Sequence, residues 1–281
     1  MHDAIDTARV QQGLVPPVAG PVVWAVEAGS TNDLVAMRAR AGAAEGLVIG
    51  ADFQSAGRGR RGRTWTADAG AGLLFSVLLR PARAGRDVGV LPIAAAVGVA
   101  EGLATLGIPA ELVWPNDLTA DGKKLGGILC ELASSGQELA WAVVGVGLNV
   151  RASPVLTDGR WEPTSVAAVA GGPVPREAVL GAVLRGLGEW VGRWYRDGDA
   201  PVVAAFGRRD ALVGRPVVVA VGDATLRGVA DGLNANGALR VVAPDGAVAA
   251  VTSGEVTGVE RSGADRPTRA RHRTDPRPKD E

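Results

Sequence analysis

Two apolar runs of strand length, GLVIGADFQ (46–54) and GLLFSVLLR (72–80), bracket GRGRRGRTW (57–65), where four arginines and three glycines occupy nine positions. A cationic, flexible segment held at both ends by core strands cannot trail into solvent. Its arginines must point into a space shared with the sheet. Glycines let the backbone approach a ligand closely and let consecutive amides form an anion-binding nest. The planar guanidinium fork suits carboxylate and phosphate oxygens. Trp65, just past the loop, suits either stacking on a flat ring or anchoring the core. Gly57, Gly59 and Gly62 also fit G-x-G-x-x-G, but a dinucleotide-binding turn opens a helix and has an acid about 20 residues on. Here a second strand follows at Gly72 and the corresponding region reads LLRPAR. Arg-Gly segments that bind nucleic acid are repetitive and lie in disordered tails, whereas this one occurs once between core strands.

Composition narrows the chemistry. The 281 residues carry 30 basic and 30 acidic side chains, so net charge points to neither nucleic acid nor membrane. The longest apolar stretches are too short to span a bilayer, and MHDAIDTARVQQG has no secretory h-region. A lone cysteine, Cys130, precludes an intramolecular disulfide and fits a reducing cytoplasm. The two histidines, His2 and His272, lie in the terminal segments, which argues against a His-based triad or a multi-His zinc site. Lysine occurs only at 123, 124 and 279. In so arginine-biased a chain, the adjacent pair Lys123–Lys124 is either a solvated turn after ADG or a selected position.

Along the chain, STNDLVAMRARAG (30–42) reads as a helix with a Ser or Thr N-cap. LPIAAAVGVAEGLATLG (91–107) reads as a helix whose small residues suit close packing on a sheet. AELVWP is a short strand stopped by Pro115, and residues 124–150 form two apolar runs joined by SSGQ, a hairpin. Val179, Val183, Leu187, Trp190 and Trp194 follow a helical repeat and belong to the core. After residue 210, short valine-rich runs separated by GD, NANG and PDG suggest a small five-stranded barrel. The expected division is 15–209, 210–260 and a disordered tail at 261–281, whose basic residues are interspersed with acids.

Three further segments carry chemistry. VWPNDL puts Asn116 and Asp117 at a strand end. Seven residues past Asp117, KKLGGIL starts a strand at Lys124, with Gly126 and Gly127 leaving open space beside it. GVGLNV ends another apolar strand on glycines and Asn149.

Together, STND (30–33), QSAGRGRRGRTW (54–65), WPNDL (114–118), KKLGGILCE (123–131) and GVGLNV (145–150) resemble the biotin protein ligases, also called biotin–[acetyl-CoA-carboxylase] ligases. The resemblance covers about residues 20–260. It implies an α/β (α+β) fold: a mixed sheet flanked by helices, related to class II aminoacyl-tRNA synthetase cores, followed by an SH3-like barrel. Carried over by match, Ser30, Thr31, Asn32 and Gln54 contact biotin, and Arg58, Gly59 and Arg60 belong to a loop ordering over biotin and its adenylate. Lys124, beside Gly127, contacts both the biotin carboxylate and the α-phosphate. Trp65, Asn116 and Asn149 surround the adenine. Asp117 serves the metal–phosphate region or supports Lys124. ATP, biotin and Mg²⁺ are the implied ligands. The partner is a biotin carboxyl carrier protein or domain, with no nucleic acid and no membrane, and the enzyme acts in the cytoplasm as a monomer or weak homodimer.

Two departures from the family pattern stand out. The catalytic region begins within about 20 residues, too few for the N-terminal winged helix of many bacterial relatives, so no repressor activity is expected. Val113 replaces the lysine often found before WPND. Lipoate–protein ligases and octanoyltransferases share the fold but lack the full GRGRRGR signature. A catalytically silent binding module or a nucleic-acid binder is the alternative of a different class.

Overall fold

The computed structural model describes residues 4–81, 88–135, 138–154 and 161–259. In chain order the first part contains α1 (Thr7–Gln11), β1 (Val22–Ala28), α2 (Thr31–Arg40), β2 (Val48–Gln54), β3 (Gly72–Leu79) and α3 (Leu91–Ala104). β4 (Glu111–Val113), β5 (Asp117–Ala120), β6 (Lys123–Ser135), β7 (Glu138–Asn149), α4 (Val166–Ala170), α5 (Arg176–Asp197) and α6 (Ala200–Gly207) follow. The sheet order is β1-β2-β3-β7-β6-β5-β4. β1 and β2 run parallel and every other pair is antiparallel, giving the expected mixed sheet. Every residue of β3 is buried, which explains why GLLFSVLL reads as an unbroken apolar run instead of an alternating one.

The two faces of the sheet are covered differently. α2 packs its Val35, Ala36 and Ala39 against Ile49, Leu78, Trp141 and Val143. The opposite face meets α3 and α5 in the main core, which includes Phe75, Val144, Val146 and the expected α5 series Val179, Val183, Leu187, Trp190 and Trp194. α3 packs on the sheet as expected, and its glycines serve a second contact: a side chain at Gly98 or Gly102 would strike the α5 backbone at Gly186 or Ala182. Helix-to-helix contact therefore demands those glycines.

Residues 212 onward form a second, antiparallel sheet: β8 (Pro216–Val221), β9 (Ala224–Leu233), β10 (Leu239–Val242), β11 (Val248–Val251) and β12 (Glu255–Val259), ordered β11-β10-β9-β8-β12. Its turns follow the chemistry of their sequences: Asn234 Oδ1 accepts the Asn236 and Ala238 amides, and Asp245 Oδ1 accepts the Ala247 amide. This barrel seats on the larger sheet through buried Trp114, whose Nε1 donates to the Gly237 carbonyl at 3.0 Å. The joining segment bonds to β4 on both sides, Leu112 N to Arg209 O and Ala211 N to Leu112 O. The tail expected at 261–281 lies outside the described residues.

Asp210, in that joining segment, accepts the Leu212 amide through Oδ1, while Oδ2 is buried without a hydrogen-bond partner. Burial pushes its carboxyl up from 3.8 to about 6. Between those values the folded chain holds a proton that the unfolded chain gives up, so stability falls as pH rises through that window and is flat above it. Asp210→Asn is expected to stabilise the chain at pH 7.5 by up to about 3 kcal/mol, with the gain gone near pH 3.5. Thermal melts at both pH values check this, and an unchanged melting temperature at pH 7.5 contradicts it.

Candidate active site

A pocket opens on the α2 face of the sheet where side chains are missing. Across the ladder Gly127 of β6 pairs with Gly147 of β7, and Leu129 with Gly145, while Ser76 of β3 pairs with Gly145. Alternation along a strand puts all of these on one face, so three glycines clear a trough two strands wide. The trough is already occupied from above: a side chain at Gly145 would strike Asn32, and a Cβ at Gly147 would lie 2.5 Å from the Trp65 indole.

The floor is a polar network at the start of α2. Ser30 holds the N-cap position but makes no capping bond, which leaves its hydroxyl on the pocket wall. Gln54, from the end of β2, caps the helix instead: its Oε1 accepts the Thr31 amide at 2.7 Å and lies 3.1 Å from the Thr31 hydroxyl. Ser76 Oγ, fully buried, lies 2.6 Å from Asn32 Oδ1 and 2.7 Å from Thr31 Oγ1. The Asn32 amide donates to Glu131 Oε2 at 2.9 Å.

The arginine loop forms the roof, and its charges are divided. Arg58 forks onto both oxygens of Asp33, at 2.6 and 2.8 Å, and also donates to Glu131. This pairing holds the Asp33 carboxyl below its usual range. On the other side, Arg63 pairs with Glu255 of β12 at 2.6 Å, with Arg61 at 3.9 Å from the same carboxylate. Arg60 is turned inward, with Nη1 donating to Asn116 Oδ1 at 3.3 Å, and burial draws its pKa down. At the far wall, Lys124 Nζ pairs with Asp117 Oδ1 at 2.9 Å, their side chains only 14% and 11% exposed. The same ammonium lies 5.9 Å from the Trp65 ring centroid. Lys123, by contrast, reaches solvent and pairs with exposed Glu162.

Ser30, Thr31, Asn32, Gln54, Arg58, Gly59, Arg60, Trp65, Asn116, Asp117, Lys124 and Gly127 therefore line a single pocket. Asn149 does not. It is buried, and its amide is aimed at the Thr164 and Lys124 carbonyls, at 3.0 and 3.5 Å. There it holds a strap, Trp161–Thr164, whose backbone brackets Lys124 on both its N–H and C=O. The strap brings Trp161 into the pocket wall, a position that no local pattern in RWEP announces. Sequence reading also missed Glu131, Asp33 and Glu255, the partners of the loop arginines. The facing of Gly145 and Gly147 was readable, since G-x-G within a strand puts both glycines on one side. Among the described residues, no three His, Cys, Asp or Glu side chains are grouped to hold a metal ion, and no helix is long and apolar enough to cross a membrane.

Residues 28–149 match the Biotin/lipoate A/B protein ligase family, and residues 212–257 match the Biotin protein ligase C terminal domain. The chain is 32% identical over 199 residues to a biotin–[acetyl-CoA-carboxylase] ligase of Paracoccus denitrificans, covering 69% of this chain and 82% of the relative. It is 37% identical over 202 residues to the protein of that name in Mycobacterium tuberculosis, covering 69% of this chain and 72% of the relative. Among solved structures, a biotin protein ligase from Aquifex aeolicus in complex with biotin and ATP superposes with a TM-score of 0.73 at 27% identity, over 86% of this chain and 99% of that one.

The contact between Gly147 and Trp65 gives a test of how the roof is held. A valine there cannot move the central strand, so Trp65 and the loop behind it must give way. Gly147→Val is expected to speed tryptic cleavage within residues 58–63 about tenfold, equivalent to about 1.4 kcal/mol of easier local opening. Cleavage at the wild-type rate in a folded variant contradicts this packing.

Proposed function

We infer the chemistry of this pocket from one premise: the chain belongs to the biotin–[acetyl-CoA-carboxylase] ligase family. It activates biotin with ATP to give biotinyl-5'-AMP and pyrophosphate. It then transfers the biotinyl group to a lysine of a biotin carboxyl carrier domain. The match of residues 212–257 to a biotin protein ligase C-terminal domain favours biotin over lipoate as the acyl group.

The observation that carries the reading is the largely buried Lys124–Asp117 pair, which lines the same pocket as Arg60. In the first step a biotin carboxylate oxygen attacks the α-phosphorus of ATP, and pyrophosphate leaves. Both reactants are anionic, so the approach needs fixed positive charge where the new bond forms. An ammonium has three donors, and Asp117 takes one, which leaves Lys124 two for the carboxylate and the α-phosphate. Asp117 thus supports Lys124. Arg60 supplies the second cation from the roof. Neither step uses histidine.

The biotin ring lies against Ser30, Thr31, Asn32 and Gln54, with the roof residues Arg58 and Gly59 above it. The adenine lies beside Trp65 and Asn116. Asn149 acts behind the wall, holding the strap against Lys124. Mg²⁺ enters as part of the MgATP substrate and moderates the charge of the triphosphate and of the departing pyrophosphate. In the second step the carrier lysine, as free amine, attacks the acyl carbon. The C–N bond forms, the acyl–phosphate C–O bond breaks, and AMP leaves. Closure of the arginine loop keeps water from the adenylate between the steps. Residues 15–209 carry both reactions, and residues 210–260 contribute through the Glu255 hold on the loop arginines. The chain works as a monomer or weak homodimer in the cytoplasm.

Lys124→Ala is expected to lower biotin-dependent pyrophosphate release by about 10²- to 10³-fold, the usual loss for one preorganised charge in a water-excluded site. Lys123→Ala, which removes an exposed pair, changes it by about twofold or less. Near-normal release by folded Lys124→Ala removes Lys124 from the reaction.

A further inference from the structure

Glu131 has no part in the chemistry above, yet it is the junction between floor and roof. It is the last residue of the KKLGGILCE stretch and lies on β6, on the same face as Leu129 and Gly127. Its carboxylate receives Asn32 Nδ2 at 2.9 Å and Arg58 Nη2 at 3.0 and 3.3 Å. The first donor belongs to the buried floor and the second to the arginine loop.

Proton accounting shows what that carboxylate does to the floor. An amide oxygen has no proton to give, so the short Ser76–Asn32 contact is a bond from the Ser76 hydroxyl to Asn32 Oδ1. The 2.7 Å Ser76–Thr31 contact then takes the Thr31 hydroxyl proton, so the longer 3.1 Å approach of that hydroxyl to Gln54 Oε1 carries none, while Gln54 Oε1 keeps the Thr31 backbone amide. All donors now point one way, from Thr31 to Ser76 to Asn32 to Glu131, and the chain ends on negative charge. Such a chain polarises along its length and makes the Thr31 oxygen a better acceptor for a ligand N–H. It also fixes the Asn32 amide, because only the Nδ2 end can face a carboxylate.

We infer that Glu131 is a positioning residue that couples the floor of the pocket to its roof, orienting Asn32 and Thr31 toward the N–H groups of a cyclic urea while holding Arg58 of the closing loop. The inference rests on the biotin reading of the pocket. Asp33 shares the Arg58 guanidinium but belongs to α2, and its side chain is 62% exposed. Glu131 is the partner that places Arg58 over the sheet.

The test uses the full chain, biotin, and biotinyl-5'-AMP, in wild type, Glu131→Ala, Glu131→Gln, Arg58→Ala and the Glu131→Ala/Arg58→Ala double variant. Two quantities are read: the biotin Kd by calorimetry and the biotinyl-AMP dissociation rate. Glu131→Ala is expected to weaken biotin about tenfold and to speed biotinyl-AMP release about tenfold, the scale of one charge-assisted hydrogen bond. Glu131→Gln keeps an acceptor for Asn32 without the charge, so biotin stays within about threefold of wild type while release is still faster by about fivefold. In the Arg58→Ala background, Glu131→Ala still weakens biotin, and it speeds release by a clearly smaller factor than in the wild-type background, since the shared roof contact is already gone and only the floor contribution remains. A general structural defect would move both quantities in both backgrounds alike. The inference is overturned if Glu131→Ala leaves both within twofold, or if its effect on release is undiminished without Arg58. Should Glu131→Ala fail to fold, release from Glu131→Gln at the wild-type rate overturns it equally. Wild-type chain that binds no biotin defeats the functional reading itself, an outcome distinct from any of these.

Discussion

Four arginines within six residues repel one another, and the site depends on how that repulsion is resolved. Asp33 and Glu131 take Arg58 on one side, and Glu255 takes Arg63 with Arg61 on the other. Arg60, between them, is paired with a neutral amide and faces the pocket. The outer arginines latch the loop at its two ends, and the inner one is left facing the pocket. Charge-assisted pairs at both ends, together with the loop's own antiparallel bridge at Arg58 and Thr64, give a glycine-rich segment a defined course over the sheet.

The latches come from three places far apart in sequence: the first turn of α2, the middle of β6 and the last strand of the barrel. This gives the second sheet a physical connection to the loop over the pocket. Trp114 and the 209–211 segment seat the barrel against β4, and Glu255 then extends from β12 to the loop. Beneath the roof, the trough exists because glycines occupy the inward positions of β6 and β7. The same face accommodates Asn32 and Trp65 only while those positions carry no side chain.

Much of this was legible in the residues. Strand-length apolar runs, the α5 repeat and the spaced GD, NANG and PDG turns gave both sheets, because burial and turn chemistry are local properties. The polar motifs gave nearly the whole pocket lining, because each lies at the end of a strand. Asn149 was misleading: an amide at a strand end looks like a ligand contact, but its bonding to the 161–164 strap depends on tertiary placement. The same holds for Glu131 and Glu255, ordinary surface acids until the fold sets arginines against them. The small residues of α3 suggested close packing on a sheet, which α3 makes, and only the path of α5 reveals that Gly98 and Gly102 face a helix.

The central claim is that this pocket joins a biotin carboxylate to the α-phosphate of ATP. Isotope exchange between pyrophosphate and ATP reads that step directly, without the carrier protein. With Mg²⁺ present, labelled pyrophosphate is expected to enter ATP when biotin is supplied and to remain at background when lipoate replaces it. Exchange that ignores biotin, or that is equally strong with lipoate, contradicts the account.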